Sequence, residues 1–268
     1  MAVFTRSRRA FFAGVALLTF ASLGLRLFRL ANQSFWIDEV SSILAAQSPL
    51  NNIYERSALA SNSLPTYFVL LKTFIGTTAD DLEFRARLLS VIAGVLSIPL
   101  FVAVMYLWRR QRGTALLAGT LLTVNPLHLW YSQEVRGYAV TLLFGLLTLL
   151  CFELAREKRR AGWWVLYVLF GIIAITAHKT ALIFPVACGL WHAWDVFKQR
   201  GQLKNLLIHA PIALAAIVAM TLKSYPPVEG YGRNTTGLEV GYTFLTFLGG
   251  YSFGPSLTDI QSFGPWTA

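Results

Sequence analysis

Residues 88–108 read LLSVIAGVLSIPLFVAVMYLW, 21 positions without a single charge. Wound into a helix at about 1.5 Å per residue, such a run reaches about 31 Å, the thickness of a bilayer's hydrocarbon core. The rest of the chain has the same character. Of its 268 residues, 55% are hydrophobic and only 13% charged, with a mean hydropathy of +0.54. That composition excludes a soluble domain and a disordered chain alike, because neither can leave so much apolar surface in water. Six further stretches qualify as spans: 11–30, 115–130, 137–155, 162–178, 179–196 and 206–222. The expected fold is therefore all-α, a polytopic membrane bundle of about seven transmembrane helices. The apolar segment 64–76 contains Lys72 and is too short to span, so it is read as an interfacial helix in the first outer loop, residues 31–87.

Excluding that segment fixes the sidedness. Thirteen of the 23 Lys and Arg then fall in four clusters on one face: Arg6, Arg8 and Arg9; Arg109, Arg110 and Arg112; Arg156, Lys158, Arg159 and Arg160; Lys198, Arg200 and Lys204. Only Glu153, Glu157 and Asp195 accompany them, so this face carries the whole formal charge of +10, and the other, with 10 basic and 10 acidic residues, carries none. The asymmetry follows the positive-inside rule, with the N-terminus inside and the chain ending outside. The basic excess is thus a topology signal, which removes the main argument for nucleic acid as a partner. A cleaved signal peptide is the competing reading of the first apolar run, although Arg26 and Arg29 continue it without a small-residue cleavage site. Cys151 and Cys188 lie inside apolar runs and make no disulfide framework.

Chemistry is then expected among the polar groups of the outer face. Ser34-Phe35-Trp36-Ile37-Asp38-Glu39 places two adjacent carboxylates beside interfacial aromatics, immediately after the first span. The plain alternative is an aromatic belt followed by a helix start that favours acids. Adjacent carboxylates at an apolar boundary repel one another and resist ionisation unless a cation or metal compensates. A second constellation, Trp130 to Tyr138, joins two spans with Gln133, Glu134 and Arg136. If a helix starts at Gln133, then Glu134 and Tyr138 share a face and Arg136 points elsewhere; a structural ion pair is the alternative. His178-Lys179 marks a third junction, where an interfacial histidine is the ordinary reading, as it is for His128, His192 and His209. The outer cations available to an anion are Arg26, Arg29, Arg56, Lys72, Arg85, Arg87, Arg136, Lys179, Lys223 and Arg233. No zinc spacing, phosphate loop or nucleophile elbow is present.

Together, Arg26-Leu27-Phe28-Arg29-Leu30, Ser34 to Glu39, and Tyr131-Ser132-Gln133-Glu134-Val135-Arg136-Gly137-Tyr138 after Asn125-Pro126 resemble the family 39 membrane glycosyltransferases and their bacterial relatives of the GT-C fold. These include protein mannosyltransferases and aminoarabinose transferases. The resemblance runs in order over residues 25–179. It implies transfer of a sugar from a polyprenyl-phosphate donor to a lipid, glycan or protein hydroxyl at the outer membrane interface, usually with inversion. Carried over by motif, Asp38 is the general base, Glu39 its partner, and Glu134 and Arg136 shape the pocket. Ser63-Leu64-Pro65 stands where relatives commonly carry His-Pro-Pro, and Lys179 where many carry an aromatic after the histidine. Relatives usually have ten or more spans. A fragment, a shortened homologue and half of a split enzyme are all open readings of a catalytic module over 1–223 followed by a tail, 224–268.

The expected machinery is Asp38, Glu39 and Glu134 for catalysis, with Arg136, Lys179, His178, Arg87, Lys72, Gln133 and Tyr138 holding substrate. No cofactor is required, because side-chain cations can neutralise a departing phosphate, although a divalent cation near Asp38 and Glu39 is compatible with it. Two other function classes compete. A lipid-sugar flippase would place ionisable groups or broken helices near mid-bilayer, whereas these spans are polar at their outer ends. A noncatalytic membrane subunit would tolerate carboxylate substitutions.

Overall fold

A computed structural model describes residues 2–61, 64–76, 80–198 and 203–221. Ser63, Arg200, Lys223, Arg233 and the tail 224–268 fall outside these described residues. Among them the chain is all-α, without a strand. Helix α1 (Ala2–Leu27) is followed by three short helices, α2 (Ile37–Gln47), α3 (Ile53–Ser61) and α4 (Thr66–Ile75). Then come α5 (Leu82–Arg109), α6 (Arg112–Val124), α7 (Pro126–Tyr131), α8 (Tyr138–Lys158) and α9 (Ala161–Ala177). A 3-10 turn (Lys179–Leu182) leads into α10 (Ile183–Lys198), and another (Leu203–His209) into α11 (Ala210–Thr221).

Four helical stretches are long and apolar enough to cross a membrane: Arg8–Leu27, Leu82–Arg109, Tyr138–Lys158 and Lys179–Lys198. The other three expected spans coincide with shorter apolar helices, Arg112–Val124, Ala161–Ala177 and Leu203–Ala219. The shortest has a local cause. Asn125 precedes Pro126, which pushes it to an extended conformation and ends α6. Its side chain then accepts the His128 N–H at 2.8 Å and starts α7. Helix α4 is 10 residues long, about 15 Å, as the interfacial reading requires.

Large apolar side chains stand exposed along these helices, Phe12, Leu17, Phe20, Leu117, Leu121, Val165 and Leu169 among them. A face of this kind is stable against lipid and not against water. Inside the bundle, α5 packs on α1, α4, α6 and α8, and α8 on α5, α9 and α10. The two ends of the bundle differ in charge. At one end Arg110 pairs with Glu157 at 2.8 Å and Arg156 with both Glu153 and Asp195, which joins the C-terminal ends of α5, α8 and α10. Arg110 and Arg159 take up left-handed backbone conformations there (φ 53° and 50°) and close α5 and α8, cations at the negative ends of two helix dipoles. The opposite end gathers α2, α4, the α7–α8 loop and His178.

Arg26, fully buried near the end of α1, ties these elements at that second end. It donates to Ser22 Oγ at 2.6 Å and bonds the ring Nδ1 of His128 on α7. The Gln133 side-chain amide donates to the Arg26 and Phe28 carbonyls, at 3.0 Å each. Gly94 of α5 leaves the room this cluster occupies, since a Cβ there would overlap the Ser132 side chain and lie 2.9 Å from Arg26 Nε. Gly94→Ala is therefore expected to cost about 1–3 kcal/mol through overpacking, read as a lower unfolding temperature in detergent. Gly24→Ala, where a Cβ meets nothing within 4 Å, is expected to hold or raise that temperature.

Candidate active site at one end of the bundle

The start of α2 separates the two adjacent acids. Successive helical residues point about 100° apart, so Asp38 and Glu39 take different surroundings. Glu39 turns inward and is 1% exposed. Its carboxylate accepts two hydrogen bonds from Arg87, Nε at 2.9 Å and Nη2 at 2.8 Å. It also accepts the Val135 N–H at 3.0 Å and, more weakly, the Trp36 N–H at 3.4 Å. Arg87 in turn donates to the carbonyls of Leu30, Gln33 and Ser34 and lies 5.3 Å from the Phe35 ring centroid. One buried pair thus fixes the loop after α1, the start of α2, helix α5 and the α7–α8 loop.

Asp38 turns the other way. Its side chain is 43% exposed and sits 3.8 Å from Arg136. The condition of a helix starting at Gln133 is not met: residues 132–137 form an irregular turn, and α8 starts at Tyr138. The capture of the Val135 N–H by Glu39 holds this turn open. As a result Arg136 does not point away from Glu134 and Tyr138. All three line one cavity of about 430 Å³ with Asp38, between the rings of Trp36, Trp130 and Tyr131. A second cavity, of about 660 Å³, shares Trp36, Trp130 and Glu134 with the first and extends along Arg29, Asn32, Gln33 and Ser34 to Glu39 and Arg87.

Glu134 is the carboxyl whose proton affinity the fold raises. It is 6% exposed, and its Oε2 has no hydrogen-bond partner. Burial pushes its pKa up to about 7, and the neighbouring charge of Glu39 adds to the effect.

The remaining expected residues have other placements. Lys72 donates to the carbonyls of Ala46, Gln47 and Ser48 at 3.1, 3.3 and 2.9 Å, which closes the C-terminal end of α2. Gln133 holds the end of α1, as above. His178 stands at the break between α9 and the 3-10 turn, 5.3 Å from the Tyr138 ring, and its Nδ1 bonds Thr180. Burial lowers its pKa, and Arg136 and Lys179 act in the same direction. With Arg136, Gly137 and Tyr138 it lines a narrow cleft next to the main cavity. Lys179 opens the 3-10 turn beside it. Sequence reading missed the buried Arg26–His128 pair, since His128 looked like an ordinary interfacial histidine. The signal lay in two polar residues placed in otherwise apolar helices, where isolated charges are costly. Also unforeseen is a chain from Tyr167 OH through His209 to His192, with steps of 2.7 and 3.0 Å. Among the described residues, no three histidine, cysteine or carboxylate side chains gather as metal ligands do.

Neither the curated proteins nor the solved structures include a match to this sequence. A family profile does match. Described as dolichyl-phosphate-mannose-protein mannosyltransferase, it covers residues 64–225, more than half of the chain. The matched segment carries the polar turn at 132–137, His178 and Lys179, and begins after Asp38 and Glu39. The chain thus belongs to the dolichyl-phosphate-mannose-protein mannosyltransferase family of membrane glycosyltransferases.

Proposed function

We propose that this glycosyltransferase moves a sugar from a polyprenyl-phosphate donor to an acceptor hydroxyl, with inversion, in the cavity between Asp38 and the α7–α8 turn. That cavity faces the outer side of the cytoplasmic membrane, opposite the basic ends of α5, α8 and α10. The observation that supports this reading is the meeting of Asp38, Glu134 and Arg136 in one aromatic-walled space. A mostly apolar cavity with a few convergent polar groups suits a small polar substrate that must shed water to react.

Asp38 accepts the proton of the acceptor hydroxyl as that oxygen attacks the anomeric carbon of the sugar. The bond from that carbon to the phosphate oxygen breaks, and the phosphate leaves with the electron pair. Side-chain cations offset the charge that grows on it. Arg136 lies 3.8 Å from Asp38, beside the oxygens that take the proton. Glu39 and Arg87 are positioning residues, since their hydrogen bonds are made to each other and to the backbone. Lipid, glycan and protein hydroxyls can all meet this chemistry, and it requires no cofactor. Glu134 retains a proton more readily than an exposed glutamate and can donate its O–H to a substrate oxygen.

Asp38→Asn is expected to lower kcat by about 10²–10⁴, with the elution profile and unfolding temperature in detergent unchanged; full activity in this variant removes Asp38 from the role of base. Glu134 makes a separate prediction. Its ordinary pKa of 4.5 is raised to about 7 in the folded chain, so between those values the folded state binds more protons than the unfolded one. The contribution of Glu134 to stability is accordingly full below about pH 4.5 and is lost as pH rises through about 7. Glu134→Gln is expected to flatten that slope in unfolding measurements across the window. An unchanged slope would mean that Glu134 is not the group responsible.

A further inference from the structure

Away from the two cavities, the opposite end of the bundle carries a surface that sugar transfer does not use. There the α5–α6 turn and the α8–α9 turn are held side by side, because Arg110 of the first pairs with Glu157 of the second at 2.8 Å. Residues 109–112 and 157–160 bring six cations to these turns, Arg109, Arg110, Arg112, Lys158, Arg159 and Arg160, against the single carboxylate of Glu157. The cations differ in what already occupies them. Arg110 has Glu157, and Lys158 lies over the Trp163 ring at 5.5 Å. Arg109, Arg159 and Arg160 are exposed, and among the described residues their side chains make no hydrogen bond or ion pair.

An excess of cations at one end follows from the positive-inside rule, and many arrangements of them would satisfy it. Two features of these turns go beyond the sign of the charge. The first is in the backbone. Arg159 closes α8 with a φ of 50°, a left-handed conformation that glycine adopts freely and other residues adopt at a cost. A long cationic side chain stands where glycine would relieve the chain, which points to a task for the cation. The second feature is the adjoining surface of α9. Ala161, Gly162, Val165 and Leu169 are exposed and recur at helical spacing, so they form one apolar strip. A Cβ on Gly162 would meet nothing within 4 Å, which leaves the strip open at the end next to Arg160. From Gly162 to Leu169 it runs about 10 Å along the helix.

We propose that the paired turns bind one anionic phospholipid, with Arg109, Arg159 and Arg160 around its phosphate and an acyl chain along the Gly162–Val165–Leu169 strip. Guanidinium groups meet phosphate oxygens through paired, charge-assisted hydrogen bonds, and basic clusters beside membrane helices attract anionic headgroups. Arg110 neutralises Glu157, so no uncompensated carboxylate of these turns opposes the anion. A lipid, unlike free phosphate, covers the cations and the strip together. Once seated, it ties the ends of α5 and α8 to the start of α9. The Arg110–Glu157 pair alone does this weakly, since both side chains are about half exposed and such pairs contribute little. This site shares no residue with either cavity, so it stands or falls apart from the sugar-transfer reading.

The test uses the full chain in detergent, supplied with phosphatidylglycerol or with phosphatidylethanolamine of the same acyl chains. Retained lipid is counted by native mass spectrometry, and unfolding temperature is followed in parallel. Wild type is expected to retain one phosphatidylglycerol in preference to phosphatidylethanolamine and to unfold at a higher temperature in its presence. Arg159→Gly combined with Arg160→Gln is expected to weaken phosphatidylglycerol binding by about tenfold or more. Its unfolding temperature without lipid is expected to hold, since glycine suits the backbone at position 159. Gly162→Glu keeps every cation and places an acid in the first turn of α9, where helices favour one; it is expected to lose the retained lipid while remaining folded. Lys198→Gln combined with Lys204→Gln removes the same charge from another part of this end and is expected to leave the preference unchanged. Equal loss in the lysine pair overturns the site, because the attraction is then diffuse. Unaltered binding in the arginine pair or in Gly162→Glu overturns it as well. So does displacement of the lipid by an equal concentration of its chain-free headgroup, glycerophosphoglycerol, because the strip on α9 then takes no part.

Discussion

The ion pair between Glu39 and Arg87 is the contact through which the polar end of the bundle is assembled. Four pieces of chain that are far apart in sequence meet on it: the loop after α1, the first turn of α2, the first turns of α5 and the α7–α8 turn. In a low-dielectric setting neither partner is tolerable without the other. Removing one from such a pair typically costs about 3–5 kcal/mol, because the charge left behind has lost its water and gained nothing. The pair also decides which of the two adjacent acids is available for chemistry. Glu39 is committed to the scaffold, and helical geometry then leaves Asp38 facing the cavity.

A separation of tasks follows along the bundle. At one end, arginines close helices and pair with Glu153, Glu157 and Asp195, and the tight loops there have little room for a substrate. At the other end, helices break early. Asn125-Pro126 ends α6, Glu39 holds the following turn out of α8, and His178 interrupts the passage from α9 to α10. Each break leaves polar backbone or side chains at that end of the bundle, beside the two cavities. Irregular backbone at this depth is stable only where it lines a cavity or is satisfied by protein, and both conditions are met here.

Much of the fold was legible in the sequence because the bilayer imposes a length and a hydrophobicity on every span. Long apolar runs and the distribution of Lys and Arg identified a helical membrane bundle and separated its two ends. The motif containing Asp38 and Glu39 and the turn containing Glu134 and Arg136 were also visible, and the structure brings Asp38 together with Glu134 and Arg136 in one cavity. What each residue does was harder to read. Lys72, Arg87 and Gln133 are expected to hold substrate, and the structure adds that each donates to backbone carbonyls, which sequence spacing cannot reveal. The turn at 132–137 carries helix-compatible residues, but a hydrogen bond from Val135 to a carboxylate nearly a hundred positions earlier overrides that preference. The shortness of α6 was hidden for the opposite reason, since an apolar run continues across Pro126 and masks the break.

The central claim is that the Glu39–Arg87 charge pair, more than either residue alone, holds the site together. A double-mutant cycle tests it most directly, with Glu39→Gln, Arg87→Gln and the combined variant unfolded in detergent. Glutamine at position 39 can still accept the Val135 N–H, so the cycle isolates the charge interaction. A coupling of about 1–3 kcal/mol is predicted, with the double variant less destabilised than the two single effects combined. Effects that add to within about 0.5 kcal/mol would contradict the account and leave the two motifs to be held together by something else.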